Sequence, residues 1–98
     1  MNLSDLTQAM HQFVESKGWY APDSPKPQSP RNLAASLVIE AAEVLELYQW
    51  QETVPDREAL ASELADVMLY LLQLASLGGI DLEEAIMEKL RLNYDRDW

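Results

Sequence analysis

Glu40 and Glu43 stand three residues apart, and so do Glu63 and Asp66, each pair set in otherwise apolar sequence. On a helix that spacing puts two carboxylates on one face, about one turn apart, so each segment offers a pair of hard oxygen ligands. Two such helices face to face would make a metal site. Four ionised carboxylates turned inward repel one another and lose hydration, a cost that divalent cations offset. An all-oxygen donor set suits Mg²⁺, with Mn²⁺ as the alternative. A lone Glu-x-x-Glu pair is usually just a solvated helix surface. Here Ala41, Ala42, Val44 and Leu45 surround the first pair, and Leu64, Ala65, Val67 and Met68 the second, which argues against four solvated acids. A di-iron carboxylate bundle would want Glu-x-x-His on two helices, and the single histidine, His11, lies far from both pairs and is expected at the surface.

The elements that position these acids follow from helical periodicity, with no alternating strand pattern and no internal repeat. Leu3, Leu6, Met10, Phe13 and Val14 mark a first amphipathic helix from about Leu3 to Lys17, closed by Gly18. Trp19 to Ser29, with prolines at 22, 25 and 27 and Pro30 next, predicts an extended functional loop. Ser29 and Pro30 form an N-cap and first-turn pair for a second helix running toward Trp50. After a turn around Thr53 to Asp56, a third helix from Arg57 to about Leu77 is apolar over most of its circumference and should be central. Gly78-Gly79 ends it, and Asp81 with Glu84 suggests a capping box for a fourth helix to about Arg96. Short connections imply antiparallel neighbours. The expected fold is all-α, a four-helix antiparallel bundle completed by oligomerisation.

Aromatic and basic residues share the faces of the acids. Trp50 falls within roughly 20° of Glu43 on the second helix and about 10 Å further along the axis, and Tyr70 bears the same relation to Glu63. Antiparallel helices send these two aromatics to opposite ends of the acid cluster, so a shared pocket calls for a second subunit or for the loop carrying Trp19 and Tyr20. An aromatic wall suits a flat base. Lys89, Asn93 and Arg96 line up on the fourth helix and suit phosphate oxygens; equally, the two cations would balance the helix dipole at a C-terminus.

The chain has 98 residues and a formal charge of −10. That length suits one domain, residues 1–98, near the size at which a partner subunit completes burial. With no cysteine, disulfides and thiolate zinc sites are excluded, and a cytoplasmic location is expected. The first residues lack the basic start and apolar block of a signal peptide, and no membrane span is expected. So acidic a chain opposes binding to a nucleic-acid polymer, and a polyanionic ligand would need metal ions as intermediaries.

Taken together, Pro30-Arg31-Asn32-Leu33, the run Glu40-Ala41-Ala42-Glu43-Val44-Leu45-Glu46-Leu47-Tyr48-Gln49-Trp50, Glu63-Leu64-Ala65-Asp66-Val67 and Tyr70-Leu71 resemble the all-α MazG-like nucleoside triphosphate pyrophosphohydrolases, in particular their dCTP pyrophosphatase branch. The resemblance spans Pro30 to Arg96. It implies a Mg²⁺-dependent enzyme that converts a (deoxy)nucleoside triphosphate, dCTP-like or a modified pyrimidine, to monophosphate and pyrophosphate in nucleotide-pool cleaning. It assigns metal ligation and catalysis to Glu40, Glu43, Glu63 and Asp66, phosphate contacts to Lys89, Asn93 and Arg96, and the base pocket to Trp50 and Tyr70. Trp19 joins that pocket by composition and rough position. Glu46 lies about 120° round the helix from Glu40 and is left out of the set. Beyond Arg96 the family often continues Tyr-Pro, where this chain has Asp97-Trp98. Assembly as a homodimer or homotetramer is expected. Within enzymes the alternatives are dUTP or broad noncanonical triphosphate hydrolysis; outside them, a noncatalytic helical dimerisation module, which would ignore Mg²⁺.

Overall fold

A computed structural model describes residues 1–97, so Trp98 and the part of the C-terminal comparison that falls on it lie outside the described residues. Four helices and no strand make up this region: α1 (Leu3–Ser16), α2 (Pro30–Leu47), α3 (Arg57–Leu77) and α4 (Leu82–Asp95). Each start is set by a side chain that accepts from an orphan backbone N–H: Asn2 from Asp5, Ser29 from Asn32, Asp56 from Ala59 and Asp81 from Glu84. The reciprocal capping box forms on α1, between Asn2 and Asp5. At α4 only the Asp81 half forms.

Stops follow the glycines. Gly18 and Gly79 take φ values of 72° and 69°, where a Cβ is strained, and the chain closes back through Trp19 N–H to the Val14 carbonyl and Ile80 N–H to the Ala75 carbonyl. α2 ends earlier than its periodicity predicts. Tyr48 to Trp50 leave the helix in tight turns, and the Gln51 side-chain amide donates to the Leu47 carbonyl at 2.6 Å, satisfying a group the helix would otherwise have bonded. Trp50 therefore does not extend the face of Glu43.

α3 is the hub. It packs against all three other helices, most extensively α2 and most sparsely α4. α2 and α3 are antiparallel: Gln28, just before α2, bonds Gln73 late in α3, whereas Glu43, late in α2, meets Glu63 early in α3. The interior is small. Met10, Val14, Leu33 and Leu72 are its buried apolar residues among those described, and the amide Gln73 is buried with them. Val38, Leu45 and Leu64 stay more than half exposed, and α4 buries none of its residues. By length and composition α3 is long and apolar enough to cross a membrane, with a mean hydropathy of 1.4, contrary to the expectation of no such span. Yet it carries Glu63 and Asp66 on its way through the bundle, and acids at such depth are costly in lipid.

Candidate active site

Glu40 and Glu43 come from the middle of α2, Glu63 from the first half of α3, and the antiparallel pairing brings one carboxylate oxygen of each within 4.8 Å of the others. At that spacing a small closure would let the three share one divalent cation. All three are half-buried. Asp66 stands outside this tight group but near enough to raise the charge cost on both Glu40 and Glu63.

The electrostatics bear the mark of that crowding. Burial, followed by a hydrogen bond and repulsion from Glu43 and repulsion from Asp66 and Glu63, pushes the Glu40 carboxyl up to about 7. Glu63 is raised too, first by its hydrogen bond with Glu43, then by burial. One oxygen each of Glu40 and Glu63, and the amide oxygen of Asn93 on α4, are sealed from solvent with no hydrogen-bond partner. A sealed acceptor without a donor is costly to leave unmatched. The unpartnered oxygens of Glu40 and Glu63, on two facing helices, are what a bound divalent cation would resolve.

Along α4, Asn93 is half-buried, while Lys89 and Arg96 are exposed, Arg96 at the helix C-cap with an interaction of its own. Trp50 is 89% exposed at the far end of the α2–α3 hairpin, away from Tyr70. Tyr70 and Trp19 do come together, in the wall of a cleft of about 690 Å³ between α1, the proline-rich loop and the α2–α3 pair. That volume lies in the range of small-molecule sites. Phe13 meets the Trp19 ring edge-on at 5.7 Å, and the Lys26 ammonium sits 5.0 Å from its centre.

The cleft contains residues that spacing did not single out. Gln73 donates to the Tyr20 hydroxyl at 3.2 Å and to Gln28 Oε1 at 2.8 Å. Tyr20 in turn meets His11 Nδ1 at 2.6 Å, and His11 Nε2 meets Ser76 Oγ at 2.7 Å. His11 is thus a half-buried bridge between the loop and α3, not the free surface residue expected. Burial raises the Tyr20 phenol, partly offset by its Gln73 bond, so it keeps its proton. A signal existed for one of these: Gln73 is a lone amide in the run Leu71-Leu72-Gln73-Leu74.

The profile of the MazG nucleotide pyrophosphohydrolase domain matches residues 28–95, from the loop end through both acid pairs to the end of α4. The chain belongs to this MazG family. Among MazG relatives, mouse dCTP pyrophosphatase 1 is 34% identical over 103 aligned positions, which cover 96% of this chain and 58% of the mouse protein. The chain therefore spans little more than half the length of that relative. A dATP/dGTP diphosphohydrolase of Cyanophage S-2L is 34% identical over 85 positions, covering 87% of this chain and 72% of the phage protein. In structure, a pyrophosphatase from Archaeoglobus fulgidus superposes with a TM-score of 0.78 at 33% identity, over 92% of this chain and 86% of that one. The all-α MazG-like fold expected from the sequence is the fold observed.

Proposed function

We propose that the protein is a divalent-metal-dependent nucleoside triphosphate pyrophosphohydrolase, releasing monophosphate and pyrophosphate in nucleotide-pool cleaning. The observation that carries this reading is the group of sealed, donor-less carboxylate oxygens contributed by two helices of a MazG domain that also holds an aromatic-walled cleft. When bound, Mg²⁺ or Mn²⁺ supplies neutralisation of the triphosphate charge and a more acidic water. Glu40, Glu43, Glu63 and Asp66 would hold the metal. Glu43, within hydrogen-bonding reach of both Glu40 and Glu63, also orients the attacking water. Lys89 and Arg96, with Asn93 between them, offset charge growing on the departing pyrophosphate. Trp19 and Tyr70 offer ring faces to the base.

The relatives named for dCTP and for dATP/dGTP support a deoxynucleotide. A dCTP-like or modified pyrimidine is our first choice, with dUTP or broad noncanonical hydrolysis as the alternatives. Trp50 reaches a base only from a second protomer, and the exposed apolar residues of α2, α3 and α4 favour a homodimer or homotetramer. We place the enzyme in the cytoplasm, with neither a nucleic-acid polymer nor a membrane as partner.

The test is Mg²⁺-dependent pyrophosphate release across a panel of normal and damaged triphosphates. Glu43→Gln and Asp66→Asn should abolish it while leaving the helical circular dichroism intact, and full activity in either would refute the assignment. A noncatalytic dimerisation module would instead show no thermal stabilisation by Mg²⁺ with a nonhydrolysable triphosphate, where the enzyme should gain several degrees.

A further inference from the structure

We propose that Gln73 is a base-reading residue, presenting its amide oxygen to the nucleotide, and that the backbone of the proline-rich loop fixes that polarity. The inference rests on the nucleotide-hydrolysing reading of the cleft. A side-chain amide is ambiguous by itself, because exchanging its oxygen and nitrogen changes little in shape and everything in what it recognises. Here the ambiguity is removed by a short chain of bonds that begins at a group with no choice. The Lys26 carbonyl is only an acceptor, so the Gln28 amide must turn its nitrogen toward it, as it does at 2.7 Å. That leaves Gln28 Oε1 facing α3, and Gln73 must meet it with nitrogen, at 2.8 Å.

The second N–H of the same Gln73 nitrogen goes to the Tyr20 hydroxyl. Both donors are therefore consumed by the protein. The oxygen is the unspent half of the amide: among the described residues it takes no hydrogen bond, it is not among the sealed unpartnered atoms, and its residue lines the cleft with Trp19 and Tyr70. Asn32, also in that wall, spends one of its two side-chain N–H groups on the Pro27 carbonyl at 3.0 Å. With both donors of Gln73 held by the protein, its oxygen is what that residue leaves for the ligand. Such a wall pairs with the exocyclic amine of cytosine or adenine, and sets two acceptors face to face against the keto oxygen that uracil or thymine carries there. A site built to hydrogen-bond one edge rejects the other more strongly than apolar shape alone can.

The experiment measures dCMP and dUMP binding by calorimetry in Mg²⁺ buffer, alongside kcat/KM for dCTP and dUTP, in the wild-type protein and two variants. Gln73→Met keeps the side-chain length but has no acceptor amide, and should shrink the preference for cytosine by roughly tenfold. Gln28→Lys puts a donor where Gln73 now finds an acceptor; it should turn the Gln73 amide over and shift the preference toward uracil. A wild type that does not distinguish the two bases, or a folded Gln73→Met protein that keeps the full preference, overturns the proposal. If Gln73→Met fails to fold, an unchanged preference in Gln28→Lys overturns it. Gln73-dependent selection between the monophosphates without pyrophosphate release from any triphosphate would instead sink the hydrolase reading and leave this one standing.

Discussion

A half-buried carboxylate with one oxygen sealed from water and acids as its nearest charged neighbours holds its proton more tightly, and Glu40 is in that position. The sign of the pH effect follows. The folded protein binds a proton at Glu40 up to about pH 7, whereas the unfolded chain gives it up near the ordinary value of 4.5. Between these values the folded state carries more protons, so the metal-free protein should lose stability as pH rises. The stabilisation is complete below pH 4.5 and gone above about pH 7. Thermal melts of chelator-treated protein across this window should slope downward, and Glu40→Gln should flatten them. Proton and cation compete for the same oxygens, so Mg²⁺ affinity should rise over the same range and binding near neutrality should release protons, which calorimetry in buffers of different ionisation enthalpy would detect. Much of this was legible from three-residue spacing, because helical geometry converts it directly into a shared face. The Gln28–Gln73–Tyr20–His11 relay was not. Its partners are separated by 45 and 53 residues, and no period relates them until the helices are packed.

At the scale of the elements, local chemistry predicts starts better than stops. Ser29, Asp56 and Asp81 each cap the helix they precede, because a short side-chain oxygen can reach a free N–H only from that position. Asp56→Ala should cost about 1 kcal/mol in urea denaturation, through the lost cap alone. The end of α2 at Leu47 is not legible in the sequence, because a glutamine amide closing on the Leu47 carbonyl has no residue signature comparable to glycine. Gly79 separates backbone strain from crowding. A Cβ there would meet nothing within 4 Å, yet φ is 69°. Gly79→Ala should therefore destabilise by about 1–2 kcal/mol without altering the packing of α3 against α1 and α2. Gly79→Asn should recover part of that loss, since asparagine enters the left-handed region more readily. An alanine variant as stable as the parent would mean that α3 ends differently in solution.

For the whole molecule, the apolar surface is too large for the interior one chain makes. Leu45 is 70% exposed and Val38 68% exposed on α2, with Leu64 on α3 and Met87 on α4 also more than half exposed, while only four apolar side chains are buried among the described residues. Covering a large aliphatic side chain contributes about 1.5–3 kcal/mol, so several covered together exceed the cost of ordering an association. These residues cannot all be explained by the acid cluster, which they flank. The same association would give Trp50 an apolar environment, joining the assembly to the cleft it cannot reach alone. Leu45→Glu and Val38→Glu should therefore yield lower-mass species in sedimentation that melt at lower temperature, with Leu45→Glu also red-shifting tryptophan emission as Trp50 returns to water. Trp50→Phe should leave the mass unchanged and lower kcat/KM mainly through KM, because stacking binds substrate and transition state alike. A monomeric Leu45→Glu protein with full activity would show that each chain works alone, and Trp50 would then have no part in the pocket.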